Sequence, residues 1–410
     1  MKSMHIKFSS TFLLVCVFSL SIFGFGVFSN FPELFRLPRI TLYLPRAITL
    51  ISAFLLIFII IKYIKERKLF NLSILLFLFF WLIYSVRMFY DIGFANIRMN
   101  REISLYLNFA YGISFIPALA ILLARNDNLF FKSTEIVMIT MGSFCIFAAL
   151  YMGSIWESDG RLSGNSFHNP IGLGNVACSL CLLIFNKCFQ DSKPLMRFPG
   201  VLMIFLFIFS FQVLIASGSR GPILAFFIIS ITLLTVRLNM QKKIISGLFI
   251  FFIFLVFYGP IFLEYLTGIE GDLIGRFSVL YTLEKITTDE RYLLAIDSYN
   301  LFKSSPLIGV GIDLPGRGYP HNIFIEGFTS LGIFGGLLLA FIMFRGIFLS
   351  YKLLSAQSEL RWASLLYVQY FFGALLSGTI YDNNQFWITL ALISSINSVN
   401  VITKDLVKIK

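Results

Sequence analysis

Apolar residues along this chain come in long blocks separated by short polar gaps. Windows of roughly 17–25 residues, long enough to cross a bilayer as helix, recur twelve times. They lie near 11–28, 47–64, 70–90, 103–124, 134–153, 170–189, 198–216, 222–239, 243–262, 321–348, 361–380 and 384–403. The pattern predicts an all-α polytopic membrane protein with about twelve transmembrane helices. The third and fourth windows have soft ends, and Gly335-Gly336 marks a place for the tenth to break. Lys2, His5 and Lys7 precede the first window as in a signal peptide, but no small-x-small cleavage site follows, so it reads as a retained span.

Composition agrees: 58% of the 410 residues are hydrophobic and 13% charged. No soluble fold is that apolar. Charge then sets the orientation. With the N-terminus inside, both tails are cytoplasmic and 14 of 16 lysines lie inside, all but Lys285 and Lys303. This accounts for most of the +12 net charge and leaves no call for a nucleic-acid partner. Arginine behaves oppositely. Eleven of 17 fall outside: Arg36, Arg39, Arg46, Arg87, Arg98, Arg101, Arg161, Arg220, Arg276, Arg291 and Arg317. A guanidinium binds phosphate in a bidentate fork that a lysine cannot match. Headgroup contact and snorkelling account for most of the first-loop arginines.

The gap 263–320 is the one long external segment. Its middle predicts an amphipathic helix, with Tyr292, Ala295/Ile296, Tyr299 and Phe302 at helical spacing. Ser305-Pro306, Gly309 and Gly311 then stop it. Its apolar content predicts an ordered loop.

Three polar motifs sit where outer helix ends are expected. Ser217-Gly218-Ser219-Arg220-Gly221-Pro222 combines glycines, serines and a guanidinium at a helix start, where free backbone N–H groups favour an anion. An ordinary interfacial turn with a snorkelling arginine fits equally well. Tyr319-Pro320-His321-Asn322 closes the long loop. A helix N-terminus biases imidazole toward its neutral form, as a general base requires. Asn322 is placed to orient the ring or a sugar hydroxyl. Glu326, one turn on, is an intramembrane carboxylate, either functional or tied into a buried network. Arg291 opens the amphipathic helix as a second phosphate ligand, or as the ion-pair partner of Asp289 or Glu290. The third motif runs from Arg161 through His168-Asn169-Pro170, and also reads as a plain helix start. Asp382, at the last external corner, can hold an arginine or an acceptor hydroxyl. The three histidines are not clustered, and no Asp-x-Asp occurs, so neither a metal nor any other cofactor is expected. The five cysteines lie in or beside apolar runs and predict no disulfide; Cys178-x-x-Cys181 reads as packing.

In order and spacing these motifs resemble the O-antigen ligase and polysaccharide polymerase superfamily. The matching pieces are Arg161-Leu-Ser-Gly with Asn169-Pro170, Ser217 to Pro222, Asp289-Glu-Arg291 with Ser305 to Gly311, and Pro320 to Gly335. The resemblance covers roughly 160–350. It implies a transferase that moves glycan from undecaprenyl diphosphate to a glycolipid acceptor at the periplasmic face of the bacterial inner membrane, without metal and with inversion. Carried over, Arg220 and Arg291 bind the diphosphate and His321 takes or positions the acceptor proton. Arg161, Ser217, Ser219, Asn322, Glu326, Arg317 and Asp382 support the substrate.

Polymerase and ligase differ only in acceptor. A Phe-, Ile- and Lys-rich chain with a single His-Asn in its outer loop leans toward polymerase, with a chain-length regulator and a flippase as companions. The rival class is a lipid-linked oligosaccharide flippase, but carriers place charges at mid-membrane and these lie mostly at span ends. The organisation expected is N-terminal spans over 1–153, a ligase- or polymerase-like core over 154–380 with the 263–320 loop, and a last span and tail over 381–410.

Overall fold

The computed structural model describes residues 2–63, 72–94, 101–124, 128–151, 155–157, 160–190, 198–236, 290–314, 318–355 and 360–396. Its helices in order are α1 Lys2–Ser19, α2 Phe25–Phe28, α3 Phe31–Leu34, α4 Leu44–Tyr63, α5 Leu72–Gly93, α6 Ile103–Leu107, α7 Ile116–Leu123, α8 Asn128–Tyr151, α9 Pro170–Gln190, α10 Phe198–Ala216 and α11 Arg220–Val236. There follow α12 Glu290–Ser304, α13 Ile323–Ser355, α14 Arg361–Leu376 and α15 Asn384–Ser395. A small hairpin pairs β1 Ile155–Trp156 with β2 Leu162–Ser163.

Among the described residues seven helices are long and apolar enough to cross a membrane: Ser10–Phe28, Arg39–Lys62, Leu72–Gly93, Ile103–Leu123, Phe130–Tyr151, Pro170–Lys187 and Ile323–Ser355. This is a multi-pass helical membrane protein. The seventh and eighth windows form shorter apolar helices, Gly200–Ala216 and Arg220–Thr232. The eleventh and twelfth are α14 and α15. The ninth, 243–262, lies outside the described residues, as do the first half of the long loop and the last residues of the chain.

The chain divides into two compact units. The first comprises Met1–Phe25, Ile40–Met138 and Glu290–Lys410; the second comprises Gly26–Arg39 and Ile139–Asp289. In the first unit the core is aromatic. Trp81 and Trp387 lie 5.2 Å apart between ring centroids, and Phe77 stacks on Phe115 at 5.7 Å. Lipid is as apolar as these side chains, so close packing rather than water exclusion holds such helices together.

Two π turns interrupt this unit's helices, at Leu20–Gly24 after α1 and at Asn108–Phe115 between α6 and α7. One is tied to the start of α15 and the other to the corner Ser377–Asn383 before it. Asn384 Nδ2 donates to the Ser21 carbonyl at 3.2 Å, and Ser114 Oγ to the Tyr381 carbonyl at 2.8 Å.

The break in α13 falls at Gly332, not at Gly335-Gly336. Gly332 has φ 70 and ψ −169. A loop from the outer segment docks there: the Ile333 N–H donates to the Pro306 carbonyl and the Val310 N–H to the Thr329 carbonyl, each at 2.8 Å. Gly309, also at positive φ, packs its backbone directly on Ser330 and Gly332, an approach no side chain permits.

In the second unit α9 and α10 pair along their lengths. The N-terminus of α9 packs on the turn before α11, where Gly174 leaves room for Ser217 and Ser219.

Candidate functional site

In the first unit the N-terminus of α13, the start of α12 and the corner Ser377–Asn383 converge through side-chain ties. Asn322 Oδ1 accepts the N–H groups of Phe324 and Ile325 at 2.9 and 3.0 Å, capping α13. Its Nδ2 donates to the Leu375 carbonyl at 2.8 Å. Arg291 Nη1 donates to the Leu376 carbonyl at 3.0 Å. Fully buried Glu326 accepts the Ile380 N–H through Oε2 at 2.9 Å, while its Oε1 has no hydrogen-bond partner among the described residues. Asn322 and Glu326 thus tie the start of α13 to the end of α14 and to the corner that carries Tyr381 and Asp382.

His321 sits at the mouth of this arrangement with φ 54, in the left-handed region that costs an L-residue roughly 1–2 kcal/mol. The ring lies against Tyr319, with centroids 4.4 Å apart and planes at 55°. Burial holds the imidazole below its ordinary value; Arg291 and Arg101 lower it further, and Glu290 opposes them. The ring is therefore neutral near pH 7, for reasons beyond the helix dipole. Arg101 was legible in the sequence only as one of many outer arginines. Its guanidinium lies 5.6 Å over the Tyr319 ring, 6.0 Å over the Tyr381 ring, and 3.9 Å from the Asp382 carboxylate. Burial raises the Asp382 carboxyl, and Arg101 and Arg46 pull it back down. Together His321, Tyr319, Arg101, Asp382 and Arg291 give a half-exposed patch with a neutral base, two cations, an acid and an aromatic face.

A second buried polar set fixes the loop behind it. Asp91 is buried on α5 and ion-paired to Arg87. Tyr106 donates its hydroxyl to Asp313. The i, i+4 spacing of Arg87 and Asp91 was the signal available for the first pair; nothing in the sequence joined Tyr106 to Asp313.

The remaining predicted residues lie in the second unit. Arg220 starts α11 and is half-buried. Ser219 caps that helix, its carbonyl accepting the Ile223 N–H at 3.3 Å. Ser217 and Ser219 are buried in the turn itself: Ser217 Oγ donates to the Leu214 carbonyl at 2.7 Å and Ser219 Oγ to the Ser217 carbonyl at 3.3 Å. Their hydroxyls shape the turn that presents Arg220. Arg161 lies 3.4 Å from Glu157, which also accepts from Ser163 at 2.9 Å. His168 is buried against Gly164, Gly172 and Gly26, and burial pushes its imidazole down to about 4. Asn165 donates to Asn30 at 2.8 Å, so this motif braces α2 and α3. Arg317 lies outside the described residues.

The fold and these groups define a polytopic membrane protein with a cation- and histidine-bearing polar patch. Residues 204–340 match the family model described as O-antigen ligase. The matched stretch holds Arg220, Arg291, His321, Asn322 and Glu326, and leaves out Arg101, Arg161 and Asp382. No curated protein matches the chain. Over that third of the chain the match marks a similarity to the O-antigen ligase and polymerase superfamily, whose members are membrane glycosyltransferase-like enzymes.

Proposed function

We propose that the chain polymerises glycan repeat units carried on undecaprenyl diphosphate, at the periplasmic face of the bacterial inner membrane. The observation that carries this reading is His321: a neutral-biased imidazole, held in a strained backbone at a capped helix end, with Arg291 and Arg101 beside it. A hydroxyl of the acceptor glycan attacks the anomeric carbon of the donor. Its proton passes to the His321 imidazole as the new C–O bond forms. The bond from the anomeric carbon to the diphosphate breaks, and its electron pair leaves with undecaprenyl diphosphate. Attack opposite the leaving group inverts the anomeric centre. Charge growing on the diphosphate is what a guanidinium stabilises best, and Arg291 is assigned that role. Arg220, at the start of α11, forms an anion-binding helix end on its own account. Asp382, held at its corner, accepts a hydrogen bond from the acceptor sugar.

The description of the matched family favours a second reading, transfer of finished polymer to lipid A–core. A surface-glycan gel on a deletion strain separates the two. Polymerase predicts a core-plus-one-repeat band; ligase predicts bare core with polymer stranded on the lipid carrier. Complementation with His321→Ala that restores the ladder, at wild-type protein level, overturns both.

A further inference from the structure

Helix α12 divides into three faces. Leu294, Ser298 and Phe302 pack against the start of α13, where Thr329 Oγ1 lies 3.4 Å from the Ser298 carbonyl and the Phe302 and Phe328 rings are 5.9 Å apart. Glu290, Asp297, Asn300 and Ser304 form a polar face on which Leu293 intrudes. Between them Tyr292, Ile296, Tyr299 and Lys303 fall within about 60° of one another at 3.6 residues per turn. The two tyrosines and Ile296 are exposed, Tyr299 by 56%, and the Lys303 ammonium lies 4.3 Å over the Tyr299 ring. Tyr292, Ile296 and Tyr299 belong to the stripe the sequence pattern predicts, yet they are exposed, whereas Phe302 of the same stripe packs on α13.

Three observations say what covers it. Leu307 and Ile308, just past α12, are exposed by 64% and 69% and their backbone lies against Gly332, next to which α13 exposes Phe334, Leu337 and Phe341. Those α13 residues belong to a membrane-crossing helix. The depth also fits. α13 has 33 residues, about 50 Å of helix against a hydrocarbon core of about 30 Å. The stretch beyond Gly332, Ile333–Ser355, is roughly 35 Å and crosses by itself. The segment Ile323–Leu331, on which α12 packs, therefore lies at the level of the headgroups. Finally, tyrosines with a lysine folded over the ring are the side chains suited to that level, apolar below and charged above.

We infer that α12 is an interfacial helix seated in the bilayer, with Tyr292, Ile296 and Tyr299 in the acyl-chain boundary and Asn300 toward water. The long outer loop is then fastened to the membrane at its C-terminal half. On the function proposed above, this sets Arg291 at the depth where the diphosphate of a lipid-carried donor lies. The seating itself stands without that function.

The test uses the full chain in proteoliposomes, with Tyr299→Trp and Ile296→Trp read against wild type to subtract its four tryptophans. Asn300→Trp serves as the polar-face control. The added emission at 299 and 296 is expected to be blue-shifted, to lose most of its intensity in lipids brominated on the acyl chain, and to resist aqueous iodide. At 300 iodide is expected to quench and bromolipid not. Iodide quenching at 299 and 296 overturns the inference in favour of a water-facing loop. Protection from both quenchers overturns it in favour of a covering protein. Neither readout depends on glycan transfer, so loss of activity in a variant leaves the conclusion intact.

Discussion

Arg87 Nε lies 2.9 Å from Asp91 Oδ1, and each partner also bonds the backbone of one loop. Arg87 Nη1 donates to the Ile308 and Gly309 carbonyls at 2.8 and 3.1 Å, and Asp91 Oδ2 accepts the Ile312 N–H at 2.9 Å. Arg87→Leu leaves a fully buried carboxylate without its cation, at a cost of about 3–5 kcal/mol. Arg87→Leu with Asp91→Leu is expected to melt higher than Arg87→Leu alone, measured by thermal unfolding in detergent.

The left-handed backbone of His321 separates stability from activity. His321→Ala and His321→Gly both remove the imidazole and are expected to abolish the glycan ladder. Glycine accepts φ 54 without penalty and alanine does not. The glycine variant should be the more stable by about 1 kcal/mol; equal melting of the two would mean that the strain is not felt.

The pH profile follows from the neighbours of His321. A base held below its ordinary value is neutral above it, so transfer is flat near neutrality and falls as pH drops through that lowered value. Arg291→Gln removes a cation that lowers it, and should move the acid limb to higher pH. Glu290→Gln removes the group that raises it, and should move the limb to lower pH. Residual rate measured across pH with each variant decides the point; unmoved limbs would detach His321 from the rate.

The buried His168 predicts acid lability. Its imidazole is neutral in the fold down to about 4, whereas the unfolded side chain protonates near 6.5. The fold's advantage is present above about 6.5 and is lost as pH falls from there toward 4, a swing of about 3 kcal/mol. His168→Gln should flatten the dependence of melting temperature on pH across that window.

Gly332→Ala would drive a Cβ into the Leu307 carbonyl and the Ile308 nitrogen, at positive φ besides. A loss of roughly 2–4 kcal/mol is expected, together with release of the loop, detected as protease sensitivity at Pro306–Val310.

How far the sequence could be read depended on range. Seven of the spans and the C-terminal limit of α12 came through because apolar blocks and Ser305-Pro306 act locally; the capping role of Asn322 did not. The break in α13 did not: Gly332, Gly335 and Gly336 are equivalent candidates until Gly309 docks against one of them. The surroundings of the α12 stripe were hidden for the same reason: Tyr292 and Tyr299 are exposed while Phe302 packs on Phe328. Periodicity finds an apolar stripe but not which neighbour, protein or lipid, receives it. Arg101 stayed hidden because only the fold brings it to Tyr319, Tyr381 and Asp382.

The π turns at Leu20–Gly24 and Asn108–Phe115 make helix length itself a determinant of the patch. A π turn accommodates one residue more than the α turn it replaces. Deleting a single residue from either would regularise the helix and remove the widened turn that presents the Ser21 carbonyl or the Ser114 hydroxyl. The Ser21 carbonyl would then leave Asn384, or the Ser114 hydroxyl the Tyr381 carbonyl, and the corner bearing Asp382 would lose its seat.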